Sequence, residues 1–132
     1  LGDVYKRQDK YPLQCIAHHY KGRTHSSYAN LEKGLELHPQ MLWINPADAE
    51  ARGIANGDTI YVFNDRGKVK TEARVTPRIV PGVVSLPQGA WYKPNADGVD
   101  EGGCINTLMK YHPSPLAKGN PGHTALVQVE KA

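Results

Sequence analysis

The chain has 132 residues, which fits one domain with a single core, and its hydrophobic fraction of 39% is too high for a disordered protein. The chain contains 16 Lys and Arg residues and 13 Asp and Glu residues, which gives a net charge of +3. Because the basic residues are spread along the chain and form no basic block, nucleic acid is not an expected partner. No apolar run approaches the ~18 residues of a membrane-spanning helix, so direct membrane insertion is not expected either.

The first nine residues, LGDVYKRQD, do not begin with methionine and do not fit the pattern of the rest. We expect them to be a disordered remnant of cloning or sequence assembly, and residues 10–132 to form the domain. Cys15 and Cys104 form neither a CxxC pair nor a disulfide framework, and the simplest interpretation is two buried thiols.

Short segments rich in β-branched, aromatic and aliphatic residues recur along the chain, separated by glycine and proline turns. This pattern is typical of a small β-barrel or β-sandwich. The predicted strands are residues 13–17, 41–44, 59–64, 68–75, 83–86 and 125–130.

Three turns have clear chemical signals. Asn56-Gly57-Asp58 precedes the third strand, and Pro81-Gly82 precedes the fifth. Between the third and fourth strands, residues 64–67 (NDRG) reverse the chain into a hairpin, and we expect a positive φ at Gly67.

Two short helices are predicted. Residues 28–37 have leucines at helical spacing, although a glycine within them weakens the helix by ~1 kcal/mol relative to alanine. Asn45 is a suitable N-cap, Pro46 suits the first helical position, and Gly53 is expected to end the second helix.

A long loop follows the fifth strand, over residues 88–122. Loops of this length in compact domains are more often functional than idle. Its carboxylates include Asp97, Asp100 and Glu101, and in a glycine-rich setting they are interpreted as solvated acids.

The first polar cluster follows the first strand. Imidazole, guanidinium and hydroxyl groups can all donate hydrogen bonds to phosphate or to a heteroaromatic ring, although the same residues also suit a polar surface loop. No carboxylate or cysteine stands nearby at metal-ligand spacing, so we predict no metal site here. The cluster comprises His18, His19, Arg23, Thr24, His25, Ser26 and Ser27.

Three further segments contain candidate contacts. In residues 89–92 (GAWY), glycine permits close backbone approach and the aromatic rings supply a rigid wall, with core packing as the alternative. In residues 102–108 (GGCINTL), the Asn106 amide can donate and accept, with a plain turn as the alternative. Residues 119–123 (GNPGH) place His123 just before the last strand.

These segments follow one another in the order THSS, the hairpin, GAWY, GGCINTL and the last strand. From about residue 11 to residue 131, this order resembles the C-terminal dinucleotide-binding domain of molybdopterin oxidoreductases, and most of all that of anaerobic dimethyl sulfoxide reductase catalytic subunits. The resemblance implies a mainly β fold, a double-psi β-barrel with a few short helices.

The resemblance also implies which residues contact the cofactor, bis(molybdopterin guanine dinucleotide). Family members often have glutamine where this chain has a histidine before the last strand. No catalytic residue and no metal ligand is expected within this chain, because the family's metal ligand comes from another domain. The implied contacts are His18, Thr24, His25, Ser26, Gly89, Trp91, Asn106 and His123.

By the same resemblance, the chain is expected to be a piece of a molybdenum-dependent S-oxide or N-oxide reductase. The cofactor would be present in the full-length enzyme and absent from the isolated piece. Expected partners are the remaining domains of the catalytic subunit, an iron-sulfur electron-transfer subunit and a membrane anchor, at the periplasmic face of a bacterial inner membrane. The alternative is a standalone double-psi barrel acting as an interaction or substrate-recognition module.

Overall fold

The computed structural model describes residues 9–119 and 122–132, so residues 1–8 of the expected remnant lie outside the described part of the chain. Six strands make up most of the regular structure, as the alternating sequence pattern predicts. They are β1 Leu13–His18, β2 Met41–Ile44, β3 Thr59–Asn64, β4 Gly67–Val75, β5 Val83–Pro87 and β6 Ala125–Lys131.

The strands close into one barrel in the order β1-β5-β2-β4-β3-β6. Two pairs, β1 with β5 and β2 with β4, run parallel, and the other four pairs are antiparallel. Parallel neighbours so far apart in sequence require crossing connections, which periodicity alone does not reveal. The double-psi β-barrel implied by the resemblance is therefore confirmed.

Alternate side chains of each strand fill the barrel interior, as the two-residue period of a strand requires. In β2, for example, Leu42 and Ile44 are fully buried and Trp43 faces outward. A buried aliphatic side chain contributes ~1.5–3 kcal/mol when it leaves water. The closed core gives the surrounding loops a rigid support.

The two helices are short. Helix α1 spans Glu32–Leu37, so it begins later than predicted, because Tyr28 takes a left-handed φ of 68° that cannot continue a helix. Helix α2 spans Pro46–Glu50, and the side chain of Asn45 accepts a hydrogen bond from the Ala47 amide, which confirms the predicted N-cap.

The prediction of a positive φ at Gly67 is wrong. Gly67 is the first residue of β4, and its backbone does not have a left-handed conformation. A β-carbon there would lie 2.7 Å from Cγ2 of Thr107, which is closer than van der Waals contact allows. The glycine is therefore needed for packing against a distant loop rather than for the turn itself.

The interpretation of Asp100 as a solvated acid is also wrong, since the residue is 0% exposed. Its backbone pairs with β4, where its amide donates to the Lys68 carbonyl and its carbonyl accepts from the Lys70 amide. The neighbouring carboxylates of Asp97 and Glu101 are exposed, as expected. Pairing with β4 therefore buries Asp100, although the sequence around it is polar.

The two thiols differ. Cys15 is completely buried in the core, and burial raises the pKa of its thiol to about 12. Cys104 is only half-buried, so the prediction of two buried thiols holds for Cys15 alone. In the described ranges, no helix has the length and apolar character to cross a membrane.

Candidate functional site

Four separate segments surround one pocket of about 390 Å³ beside the end of β1. They are the polar loop after β1, the loop after β5, a 3₁₀ helix at Ile105–Thr107 and the segment before β6. Five of the eight predicted site residues line this pocket: His25, Ser26, Gly89, Asn106 and His123.

His123 has a fixed ring orientation. Its Nδ1 accepts a hydrogen bond from the Ala17 amide at 3.2 Å, and its carbonyl accepts one from Gln14 Nε2 at 2.8 Å. Because Nδ1 is the acceptor, the neutral ring carries its proton on Nε2. The imidazole of His123 can therefore donate to a ligand in the pocket.

Asn106 stands at the centre of the 3₁₀ helix, with an exposed side chain between the buried Ile105 and Leu108. The β3 residue Asn64 donates to the Leu108 carbonyl at 2.8 Å and so fixes the end of this helix to the barrel. Among the described residues, none forms a hydrogen bond with the Asn106 amide. Both its donor and its acceptor atoms are available to a ligand.

Gly89 and Trp91 bind the polar loop to the loop after β5. Gly89 takes a φ of 84°, and a β-carbon there would overlap the His25 carbonyl oxygen at 1.7 Å. The indole Nε1 of Trp91 donates to the Ser26 carbonyl at 2.9 Å. Gly89 therefore permits a close approach of the protein's own backbone, and Trp91 reinforces that wall of the pocket.

Arg23 belongs to the predicted polar cluster after β1, but it is not among the predicted cofactor contacts. It is 8% exposed, stacks on the Tyr20 ring at 3.9 Å, and donates through Nε and a terminal nitrogen to the Gln88 carbonyl at 3.1 and 2.7 Å. The same terminal nitrogen reaches Gln40 Oε1 at 2.8 Å, and Gln40 Nε2 in turn donates to the Gly103 carbonyl. Through Arg23 and Gln40, three of the pocket's surrounding segments are joined.

The charge of Arg23 lacks a carboxylate partner within residues 9–119 and 122–132, where its acceptors are neutral oxygens. Burial lowers the pKa of its guanidinium from the usual 12.5, yet arginine stays protonated at physiological pH. A buried and uncompensated positive charge favours an anion near it. This charge lies directly behind Gln88, which lines the pocket.

Three predicted site residues, His18, Thr24 and Trp91, do not line this pocket. His18 is half-buried, with Nδ1 2.6 Å from Ser85 Oγ and its ring 5.1 Å from Trp43. Desolvation, with a smaller effect of the Arg23 charge, lowers the pKa of His18 below 6.5. Thr24 lies in a tight turn, where its carbonyl accepts from the Ser27 amide at 2.8 Å.

The arrangement is suited to binding rather than to independent catalysis. It offers an amide, imidazoles and a hydroxyl on one concave surface, with a buried cation behind them. In the described segments, no three His, Cys, Asp or Glu side chains form a group that could hold a metal ion. A planar ligand rich in nitrogen and oxygen, with an anionic group attached, matches this set.

Comparison with known proteins agrees with this chemistry. Residues 13–126 match the family model described as Molydopterin dinucleotide binding domain. Over 122 residues the chain is 60% identical to dimethyl sulfoxide reductase DmsA of Escherichia coli, covering 92% of this chain and 15% of that protein. It is 42% identical to a dimethyl sulfoxide/trimethylamine N-oxide reductase of Cereibacter sphaeroides, covering 92% of this chain and 16% of that protein.

A solved structure, acetylene hydratase from Pelobacter acetylenicus, superposes with a TM-score of 0.76 at 17% identity, covering 95% of this chain and 19% of that one. At this identity the likeness supports the fold alone. The chain spans about 15% of the length of the curated relatives that it matches. The alternative of a standalone interaction module finds no support in these relatives.

Proposed function

Because the chain belongs to the molydopterin dinucleotide binding domain family, we propose that it holds and orients bis(molybdopterin guanine dinucleotide) in a molybdenum-dependent S-oxide or N-oxide reductase. When bound, this cofactor supplies the exchange of electrons and an oxygen atom with the substrate. The domain's own task is to bind, to orient and to exclude competing ligands.

The observation that carries the proposal is the convergence of four segments, far apart in sequence, on one polar pocket. The donors and acceptors there fit a pterin. Asn106 offers both kinds of atom through one amide, and His123 offers a donor whose direction is fixed by Ala17. Five of the eight residues named from the family resemblance lie together in the pocket.

The diphosphate that joins pterin to guanosine would find its charge balanced by Arg23. The guanidinium is held back from the pocket by Gln88 and Gln40, so it acts through its field rather than by direct contact. His25 and Ser26 then provide the direct donors, since both line the pocket. Placing a neutral hydrogen-bonding surface in front of a buried cation favours an anion without tying it to one rigid ion pair.

We extend the proposal to assembly and location. Relatives described as dimethyl sulfoxide reductases occur in Escherichia coli and Haemophilus influenzae, which supports a bacterial catalytic subunit. The proposed partners are the other domains of that subunit, an iron-sulfur subunit and a membrane anchor at the periplasmic face of the inner membrane. Co-purification of these subunits and protease protection of intact spheroplasts would test this part.

The central test is Asn106→Ala in the full-length reductase. Loss of the amide leaves a buried polar atom of the cofactor without a partner, which costs ~1–3 kcal/mol, or about ten- to hundredfold in binding. The measurement is molybdenum and guanine nucleotide per enzyme after purification. Asn30→Ala is the matched control, because Asn30 is an exposed amide outside the pocket.

A second measurement separates binding from folding. Asn106 is exposed and lies outside the core, so the 132-residue chain with Asn106→Ala should melt within about a degree or two of the unsubstituted chain. A normal cofactor content in the full-length variant would contradict the proposed contact. A large fall in melting temperature would show that Asn106 shapes the fold.

A further inference from the structure

The carboxylate of Asp100 is buried and fully used by the loop around it. Oδ1 accepts from the Lys93 and Gly102 amides, both at 2.9 Å. Oδ2 accepts from the Cys104 amide at 2.7 Å and from the Thr107 hydroxyl at 3.3 Å. Four donors around one carboxylate form a rigid cluster, since bonds to a charged acceptor are shorter and stronger than neutral ones.

These bonds connect the barrel to the start of the 3₁₀ helix that presents Asn106. The main chain of Asp100 is paired with β4, and its side chain reaches forward to Cys104 and Thr107, which flank that helix turn. Asp100 itself does not line the pocket. Its action on the pocket is therefore exerted through the backbone that carries Asn106.

Gly102 and Gly103, which lie between Asp100 and the 3₁₀ helix, are closely packed against neighbouring residues. A β-carbon at Gly102 would lie 1.9 Å from the Trp91 carbonyl oxygen, and one at Gly103 would lie 2.6 Å from Gln40 Cγ. Because both glycines are packed in this way, we expect a change in the Asp100 bonds to displace the backbone that leads to Asn106.

We infer that Asp100 is a positioning residue that sets the place of Asn106 for the pterin, an inference that rests on the proposed function. Asp100→Asn tests it with little change in shape. One carboxylate oxygen is replaced by the NH2 group of a carboxamide, which faces either two backbone amides or an amide and a hydroxyl, so that an N–H donor lies against a backbone N–H donor. The expected result is about tenfold lower cofactor retention, a typical cost of removing a residue that orients a contacting group.

The experiment uses the full-length reductase and follows guanine nucleotide and molybdenum per chain during extended dialysis. Asp97→Asn is the matched control, because Asp97 is an exposed carboxylate of the same loop. The variants compared are the two single changes Asp100→Asn and Asn106→Ala and the double variant that combines them. Retention should be normal in the control, and the double variant should lose cofactor no faster than Asn106→Ala alone.

Several outcomes would overturn the inference. Additive losses in the double variant would mean that Asp100 supports the fold without acting through Asn106. Normal retention with Asp100→Asn, while Asn106→Ala loses cofactor, would refute the inference and leave the proposed function standing. Normal retention with Asn106→Ala would count against the proposed contact itself, and with it against the role assigned to Asp100.

A milder variant covers the case in which Asp100→Asn does not fold. Thr107→Val removes one of the four donors and keeps the Cγ2 methyl that packs over Gly67. Its loss of cofactor should be smaller than that of Asn106→Ala, and adding Thr107→Val to Asn106→Ala should cause no further loss. A further loss in the combined variant would contradict the inference in the same way.

Discussion

A β-carbon at Gly67 would lie 2.7 Å from Cγ2 of Thr107 and 3.0 Å from its carbonyl oxygen. The hairpin between β3 and β4 is therefore packed against the 3₁₀ helix that presents Asn106. Asn64, at the other side of the same hairpin, donates to the Leu108 carbonyl just beyond that helix. The hairpin thus serves as a support for the pocket, in addition to closing two strands.

Gly67→Ala should displace this helix. Overpacking of this kind costs ~1–3 kcal/mol, and the Thr107 carbonyl cannot move without moving the residue before it. We expect a lower midpoint in urea for the 132-residue chain and reduced cofactor content in the full-length enzyme. Gly119→Ala is the control, since its β-carbon would meet only Ser114 Oγ at 3.9 Å. Equal stability of the two variants would show that the helix yields freely.

Arg23→Lys should loosen the pocket while keeping the charge. A single ammonium group cannot reproduce the forked contact with the Gln88 carbonyl and Gln40 while stacking on Tyr20. Leaving one of these buried acceptors unpaired costs ~1–3 kcal/mol of stability. Denaturant unfolding of the 132-residue chain measures this, and an unchanged midpoint would contradict it.

A comparison of Arg23→Met with Arg23→Lys in the full-length enzyme tests the effect of the positive charge. It removes the charge as well as the hydrogen bonds, so cofactor retention should fall further than in Arg23→Lys. If both variants retained equal cofactor, the proposed electrostatic role toward the diphosphate would be wrong. Lys21→Met, at an exposed cation two residues earlier, is the control for net charge.

His18 should make stability depend on pH. Its pKa in the folded chain lies below 6.5, chiefly because of desolvation, so the unfolded chain binds the proton more readily. This contribution to stability is fully present above about pH 6.5 and is lost as the pH falls through the lower folded pKa. The urea midpoint should therefore decrease between about pH 7.5 and about pH 5.

Substitution isolates the His18 contribution from that of the other histidines. His18→Gln removes the titrating group, and the decrease in midpoint over the same pH interval should become smaller. Equal pH dependence in the two proteins would show that His18 does not titrate differently on folding. The Ser85 contact at 2.6 Å makes a constant offset in stability expected, so only the slope is diagnostic.

We predict that the purified 132-residue chain folds and shows no reductase activity. The closed barrel has its own core, whereas the family resemblance places the metal ligand in another domain. Far-ultraviolet circular dichroism tests folding, and reduced viologen with dimethyl sulfoxide tests activity. Turnover by the isolated chain would contradict the proposal that this domain only binds the cofactor and that the metal ligand comes from another domain. The chain should also bind free cofactor weakly, because it supplies one wall of the site.

The sequence was sufficient to locate the strands and the second helix, because alternation and turn chemistry are local properties. Asn45 caps its helix as predicted for this reason. The errors arose where distant residues decide. Asp100 is buried because β4 pairs with it, and Gly67 is constrained by Thr107, a residue 40 positions away in the numbering. Neither contact leaves a periodic signal.

In the site, too, the features set by local sequence could be predicted and those set by distant contacts could not. Asn106 and His123 could be named from the family resemblance, because each stands in a short recognisable segment. Arg23 was seen as one polar residue among several in its loop. Its burial depends on Tyr20, Gln40 and Gln88, which come together only in the folded chain. Residues that support a pocket through tertiary contacts are harder to predict than residues that stand in a recognisable sequence segment.

The position of β6 in the barrel has a consequence during protein synthesis. This last strand pairs with both β1 and β3, so neither of their outer edges is covered until Ala125–Lys131 has left the ribosome. Two open edges, one of them bordering the apolar Leu13 and Cys15, are templates for pairing with other chains. A premature stop before Ala125 should therefore yield an aggregating polypeptide that chaperones retain, rather than a shortened domain.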